Sequence, residues 1–167
     1  MIWYDYMPSP VGQLRLIVDE NGVRQIWFER ERHPKQASPA WVRDASKVAF
    51  VREQLEDYFA GERQAFDLPL SPEGTPFQLR VWHELARIPY GSTISYGELA
   101  RRIEQPQAMR AVGAANGRNP IPIVLPCHRV IGSNGSLTGF GGGLPTKQYL
   151  LSLEDRIARG DLFGASR

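Results

Sequence analysis

A proline-rich segment near the middle of the chain limits how the sequence can fold. Pro69, Pro72 and Pro76 stand close together, and proline lacks the amide hydrogen that helices and central strands need. A regular element is therefore not expected to run through this segment. We predict a domain boundary there, with an N-terminal lobe over residues 1–74 and a C-terminal lobe over residues 75–167. A chain of 167 residues is long enough for two such lobes to share an interface.

The first lobe carries a strand pattern followed by a helix pattern. Apolar and polar residues alternate from Leu14 to Val18, and a second apolar run begins at Val23 after Asn21-Gly22, a dipeptide that favours tight hairpins. From about residue 40 to residue 60 apolar side chains recur at helical spacing, and Gly61 follows where a C-terminal glycine is common. This half of the sequence predicts a small sheet covered by one helix.

The second lobe has the pattern of short helices. Thr75-Pro76 predicts one helix start. Ser95-Tyr96-Gly97-Glu98 predicts another with a capping box, in which Ser95 and Glu98 satisfy each other's backbone amides. An alanine-rich helix is expected from Gln107 to Asn116, ending at Gly117. Two short helices joined by a tight turn predict a helix-turn-helix, and the fold class is therefore α+β.

Charge favours a nucleic-acid partner without requiring one. The net charge is only +2, but arginines outnumber glutamates by three between Ser95 and Val130, which favours phosphate contact. The alternative is that these arginines are ordinary solvated residues. The slim alanine-rich helix suits close approach to a groove floor, and it suits close packing in a core equally well. The arginines are Arg101, Arg102, Arg110, Arg118 and Arg129.

Cys127 is the single cysteine of the chain. One thiol excludes an internal disulfide and a zinc site built from several thiolates, so no metal is expected. A lone cysteine is most often a small buried apolar residue. This one follows an apolar run from Asn119, interpreted as a strand, and precedes His128. A thiol needs a neighbouring base to become a nucleophile, and His128 is either that base or a residue that only hydrogen-bonds within a turn.

The sequence gives no indication of a membrane segment. Its apolar stretches fall short of the roughly 18 residues that a span requires, and its N-terminus lacks the pattern of a signal peptide. We therefore expect a cytoplasmic protein without membrane contact.

The second lobe resembles one known family, the O6-alkylguanine-DNA alkyltransferases, also called methylated-DNA–protein-cysteine methyltransferases. The resemblance runs from about Thr75 to Glu154, and Pro-Cys-His-Arg at residues 126–129 is its most specific motif. It implies a winged helix-turn-helix, double-stranded DNA bound in the minor groove, a monomeric protein and no cofactor. It also implies irreversible, stoichiometric transfer of the alkyl group from O6-alkylguanine to the protein. Repair of O4-alkylthymine and cooperative binding to DNA are left open. Other matching segments are Ile94-Ser95-Tyr96-Gly97-Glu98-Leu99-Ala100, Arg110-Ala111-Val112-Gly113, Asn119-Pro120, Val130-Ile131-Gly132 and the glycine loop through Gly143.

The same resemblance assigns catalytic roles. It implies that Cys127 accepts the alkyl group, that His128 acts as the base through a water molecule, and that Glu154 orients the imidazole. Asn119 would brace the site through hydrogen bonds. Tyr96 would offer its hydroxyl to the guanine ring nitrogen as the alkyl group departs.

Substrate and DNA contacts also follow from the resemblance. The O6 atom is out of reach in a stacked base, so the nucleotide must rotate out of the duplex. Arg110 would fill the gap that it leaves. Tyr96, Val130, Phe140 and Gly141 would contact the flipped base, and Phe140 and Gly141 stand where many members carry tyrosine and serine. The residues expected to contact DNA are Ser95, Arg110, Ala111 and Gly113. Crowding by the added group is expected to make the alkylated protein less stable.

Two other functions fit parts of the sequence. Cys127, His128 and Glu154 have the residue types of a cysteine hydrolase triad, which would turn over an ester repeatedly. A DNA-binding lesion sensor without chemistry is the second alternative. Sensors that resemble this family lack the cysteine, so the presence of Cys127 argues against this function.

Overall fold

The computed structural model describes residues 1–29 and 37–160 and has the predicted α+β fold class. A four-stranded sheet and one helix form the first lobe, and four helices with a two-stranded sheet form the second. The elements are β1 (Trp3–Met7), β2 (Leu14–Asp19), β3 (Gly22–Phe28), β4 (Val42–Arg43), α1 (Ala45–Phe59), α2 (Pro76–Leu85), β5 (Ile94–Ser95), α3 (Tyr96–Arg102), α4 (Met109–Gly117), a 3₁₀ turn (Cys127–Arg129), β6 (Val130–Ile131) and α5 (Leu144–Ala158).

The first sheet has the strand order β3-β2-β1-β4, in which the β1–β4 pair is parallel and the other two pairs are antiparallel. The predicted hairpin is present, but Asp19 pairs with Gly22, so the loop residues are Glu20 and Asn21 rather than Asn-Gly. Gly22 has a φ of 140°, and a Cβ on it would lie 2.2 Å from the Pro69 carbonyl oxygen. Only glycine admits this close approach of the proline-rich segment.

Helix α1 covers the sheet as predicted and begins at Ala45, where the Asp44 side chain accepts a hydrogen bond from the Ser46 amide. Its C-terminus has the predicted glycine: Gly61, at a φ of 78°, donates its amide hydrogen to the Tyr58 carbonyl at 3.0 Å. Its buried side chains are Val48, Val51, Leu55 and Tyr58.

The capping of the helices in the second lobe differs from the prediction at Ser95. A complete capping box forms at Thr75 and Gln78. At Ser95 only half of one forms, since Ser95 accepts from the Glu98 amide while the Glu98 carboxylate pairs with Arg101 and Arg102. The predicted reciprocal bond from Glu98 is therefore wrong, because two adjacent guanidinium groups offer that carboxylate stronger, charge-assisted partners.

Helices α3 and α4 form the helix-turn-helix, and α4 runs from Met109 to Gly117 rather than from Gln107. The strands β5 and β6 pair in parallel beside α3. A single hydrophobic cluster extends through both lobes, and strand β3 reaches the second lobe directly, because the Ile26 amide donates to the Pro120 carbonyl at 2.9 Å. The sheet of the first lobe is thus fastened to the segment that leads to Cys127.

Within the described residues, helices of the length and apolarity needed to cross a membrane do not occur.

Candidate active site

Residues 119–126, which lead to Cys127, form a series of turns, so the interpretation of this segment as a strand is wrong. Asn119 holds it in place: its side-chain amide donates to the Leu125 carbonyl at 2.7 Å, and its oxygen accepts from the Ile121 amide at 3.0 Å. Prolines in the segment remove the amide hydrogens that a strand would need, and a φ of 75° at Ile123 reverses the chain. The asparagine side chain therefore takes the place of ladder hydrogen bonds.

Cys127 opens the 3₁₀ turn and is almost fully buried, with 5% of its surface exposed. Its amide donates to the Leu125 carbonyl at 2.7 Å. It borders a small pocket of about 30 Å³, room for a water molecule or two but not for a purine base. The residues that line this pocket are Phe28, Asn116, Gly117, Asn119, Pro122, Cys127, Gly139, Phe140 and Gly141.

His128 is fully buried, and its Nε2 lies 2.7 Å from Glu154 Oε2. Its Nδ1 is buried and has no hydrogen-bond partner among the described residues. Burial lowers the pKa of His128, and this outweighs the attraction of Glu154, so the imidazole is neutral at pH 7. With Nε2–H donating to the carboxylate, Nδ1 carries the lone pair and is the atom able to accept a proton.

Glu154 is the centre of a buried network. Arg129 donates to both of its oxygens, at 2.7 Å from Nε and 3.0 Å from Nη2, and Tyr58 donates its hydroxyl to Oε2 at 2.6 Å. Burial by itself would raise the pKa of Glu154, but the hydrogen bonds from His128 and Arg129 and the positive charge of Arg129 lower it to about 2. The carboxylate is therefore ionised at every pH at which the protein would work.

Arg129 is not available to phosphate, contrary to its grouping with the surface arginines. It is 5% exposed, its Nη1 donates to the Ile88 carbonyl at 2.6 Å, and its remaining bonds go to Glu154. The Arg101 and Arg102 side chains are paired with Glu98. Arg110 in the first turn of α4 and Arg118 directly after its last residue are exposed, and neither has an ion pair within the described part of the chain.

Lys147 is a site residue that the sequence did not reveal. It is fully buried on α5 and donates its ammonium to the Val130 carbonyl at 2.7 Å and the Thr138 carbonyl at 3.0 Å. Burial lowers the pKa of Lys147. Lys147 thus links β6 to the loop that faces Cys127. A lysine in a helix of mixed polarity looks like a surface residue, and no local signal distinguishes it.

Of the residues expected to contact a flipped base, Phe140 and Gly141 line the pocket beside Cys127, whereas Tyr96 and Val130 are not among its lining residues. Phe140 is buried against Phe28 at a ring separation of 5.6 Å, and Gly141 lines the pocket beside it. The half-buried Tyr96 accepts a hydrogen bond from the Thr138 hydroxyl at 3.4 Å. Val130 is buried, with its carbonyl bound by Lys147 and its amide donating to the Cys127 carbonyl.

The residues expected to contact DNA lie on α3 and α4. Ser95 caps α3, and Arg110 and Ala111 are exposed near the start of α4. Gly113 is half-buried, and a Cβ there would lie 3.9 Å from the Tyr96 ring. The helix thus presents small and basic residues on one surface while its glycine faces Tyr96.

Comparison with known proteins gives a consistent answer over nearly the whole chain. Residues 2–72 match the ribonuclease-like domain of 6-O-methylguanine DNA methyltransferase, and residues 76–156 match its DNA binding domain. A methylated-DNA–protein-cysteine methyltransferase of Methanosarcina acetivorans is 48% identical over 92% of this chain and 98% of its own. The Haemophilus influenzae protein of the same name is 47% identical over 92% and 86%.

Solved structures give the same result. The chain is similar to the O6-methylguanine methyltransferase of Mycobacterium tuberculosis, with a TM-score of 0.88, 45% identity and coverage of 98% of both chains. It is also similar to a structure of the Mycobacterium tuberculosis protein OGT in complex with DNA, with a TM-score of 0.86, 44% identity and coverage of 96% and 99%.

Proposed function

The chain belongs to the 6-O-methylguanine DNA methyltransferase family, and we propose that Cys127 is the residue that accepts the alkyl group. The protein performs direct-reversal DNA repair by transferring an alkyl group from the damaged base to a cysteine. The observation that carries the assignment is simple: the chain has one cysteine, and it borders the pocket next to a buried histidine and glutamate.

His128 supplies the base in this proposal. Its neutral imidazole takes up the thiol proton at Nδ1, directly or through a water molecule, while Nε2–H remains bonded to Glu154. The imidazolium so formed lies against an ionised carboxylate, which stabilises the charge where it develops. A thiol that is mostly protonated at pH 7 is thereby converted to a thiolate at the moment of reaction.

The thiolate then attacks the alkyl carbon. A sulfur–carbon bond forms, the carbon–O6 bond breaks, and the electron pair of that bond stays on the guanine. Tyr96 suits the next step, since its hydroxyl, which lies 3.4 Å from Thr138 Oγ1, can donate a hydrogen bond to the ring nitrogen. The thioether product has no hydrolysable bond, so each protein molecule reacts once.

Access of the base to Cys127 requires a local rearrangement. The pocket of about 30 Å³ is smaller than a guanine base, and one of its walls is formed by the loop of Gly139, Phe140 and Gly141. We propose that this loop moves outward when the base enters. Glycines at 139, 141, 142 and 143 make that segment the most adaptable part of the wall.

For DNA binding we propose that α4 lies in the minor groove, with Arg110 filling the gap left by the rotated nucleotide. Its exposed basic residue and small side chains support close approach to the groove floor. Recognition there depends little on sequence, as repair at any guanine requires. We further propose a monomer that acts in the cytoplasm, where a reducing environment protects the thiol.

The decisive experiment is incubation with a slight excess of duplex DNA containing O6-methylguanine, followed by intact-mass measurement and peptide mapping. We expect one methyl group on Cys127 and repair that stops at one lesion per protein molecule. Cys127→Ser is the matched variant, and it should bind the same duplex without an adduct. Repeated turnover of an ester would instead support a hydrolase, and DNA binding with an unchanged mass would support a lesion sensor.

A further inference from the structure

The first lobe contributes a side chain to the buried network around the histidine. Tyr58, near the end of α1, is fully buried, and its hydroxyl lies 2.6 Å from Glu154 Oε2. That oxygen is also the partner of His128 Nε2 at 2.7 Å. We propose that Tyr58 is a positioning residue for alkyl transfer, which fixes the glutamate and sets how strongly it stabilises protonated His128. This inference rests on the proposed role of His128 as the base.

In the hydrogen bond between Tyr58 and Glu154, the tyrosine hydroxyl is the donor. Glu154 is ionised, so its oxygens only accept hydrogen bonds. Burial and the neighbouring carboxylate both raise the pKa of Tyr58 well above its ordinary value, so the phenol keeps its proton throughout the working range. The Tyr58 hydroxyl and the His128 ring therefore share one carboxylate oxygen, and the strength of one bond affects the other.

Several other charged or titratable groups surround the network. Arg129 binds both Glu154 oxygens from the 3₁₀ turn, and Lys147 on α5 binds two backbone carbonyls. Cys127 adjoins His128 in the chain, and Arg156 lies on α5 beyond Glu154. Tyr90 packs over Arg129 and faces Tyr58 at a ring separation of 6.3 Å. Among the described side chains that hydrogen-bond to Glu154, Tyr58 is the one that belongs to the first lobe.

Loss of the phenol hydroxyl has a predictable direction. Without this donor the carboxylate is more basic, and it stabilises the imidazolium more strongly. The pKa of His128 rises, and a larger fraction of the protein carries a protonated base at a given pH. The acid limb of the alkyl-transfer rate therefore moves to higher pH.

The chain offers a matched control for this substitution. Tyr58→Phe keeps the ring and its contacts with Phe59, Phe66 and Tyr90, and it removes only the hydroxyl. Tyr90→Phe removes a buried hydroxyl that has no hydrogen-bond partner among the described residues. The two variants thus lose the same atom from the same aromatic cluster, with and without a bond to Glu154.

The test measures single-turnover alkyl transfer against pH for the wild type and both variants. We expect the acid limb of Tyr58→Phe to move up by roughly 0.5 to 1 pH unit, a three- to tenfold loss of rate on that limb, while Tyr90→Phe coincides with the wild type. Coincidence of all three limbs would overturn the inference, even if Tyr58→Phe were less stable. Absence of transfer in the wild type would instead refute the proposed function.

A second variant keeps the test decisive if Tyr58→Phe does not fold. Site-specific replacement of Tyr58 by a fluorotyrosine retains the ring and hydroxyl and makes the hydroxyl a stronger donor. A stronger donor lowers the basicity of Glu154, so the acid limb should move to lower pH, opposite to the effect of phenylalanine. An unchanged limb in this variant would refute a positioning role for Tyr58.

Discussion

Replacement of Glu154 by glutamine tests how much the buried network stabilises the fold. The side chain keeps its shape in Glu154→Gln, but its charge is lost and an amide nitrogen must face a cluster of hydrogen-bond donors. Arg129 is 5% exposed and would be left with a buried, uncompensated charge. Removing one partner of a buried ion pair costs about 3–5 kcal/mol.

The pKa of Glu154 gives a second estimate of the same quantity. A shift from 4.5 in a free side chain to about 2 in the folded protein corresponds to about 3 kcal/mol of stability at neutral pH. The two estimates agree in size. For a chain of this length, each kcal/mol changes the melting temperature by roughly 2–4 °C. The expected fall in melting temperature for Glu154→Gln is therefore roughly 6–20 °C.

The neighbouring residue provides the control. Asp155 pairs with Arg159, and both side chains are about 60% exposed, so the pair contributes about 0–1 kcal/mol. Asp155→Asn removes the same charge from the same helix and should lower the melting temperature by no more than about 4 °C. Thermal unfolding followed by circular dichroism at pH 7 measures both variants. Equal melting temperatures for the two variants would refute the view that the buried network has a net stabilising effect.

Three further predictions follow from burial and close contacts. The pKa of Glu154 is lowered in the folded state, so the stability that its ionised carboxylate contributes is complete above about pH 4.5 and is lost as the pH falls towards 2. Unfolding scans in that pH range should therefore show a steeper loss of stability for the wild type than for Glu154→Gln. Parallel curves for the two proteins would contradict this prediction. Gly22→Ala places a Cβ 2.2 Å from the Pro69 oxygen and should lower the free energy of unfolding, measured in urea, by roughly 2–3 kcal/mol. Gly117→Ala is the control: its Cβ would lie in open space, so the free energy of unfolding should stay the same or rise by up to about 1 kcal/mol. Alkylation of Cys127, which is 5% exposed, should lower stability by about 1–3 kcal/mol in a thermal melt through crowding, and an unchanged melting temperature would exclude that effect.

Local patterns in the sequence determined much of the architecture. Helical spacing, Thr75-Pro76 and Gly61 placed the helix boundaries closely, because caps and periodicity depend on residues within one or two turns. The proposed nucleophile also comes from the sequence, since a chain with one cysteine in a Pro-Cys-His-Arg motif offers no second thiol. The prediction of a strand at residues 119–126 was wrong, because it depended on the apolar composition of that segment alone.

Tertiary structure decided how the reactive groups are arranged. Nothing in the local sequence distinguishes three residues of the site from ordinary surface or packing residues. Each of them is nonetheless buried and hydrogen-bonded to a defined partner: Arg129, Lys147 and Tyr58. The bond between Tyr58 and Glu154 joins residues 96 positions apart. Such a contact depends on how two lobes pack, and local spacing carries no information about it. The sequence therefore determined which atom we propose as the nucleophile, and only the fold decided which side chains surround its proposed base.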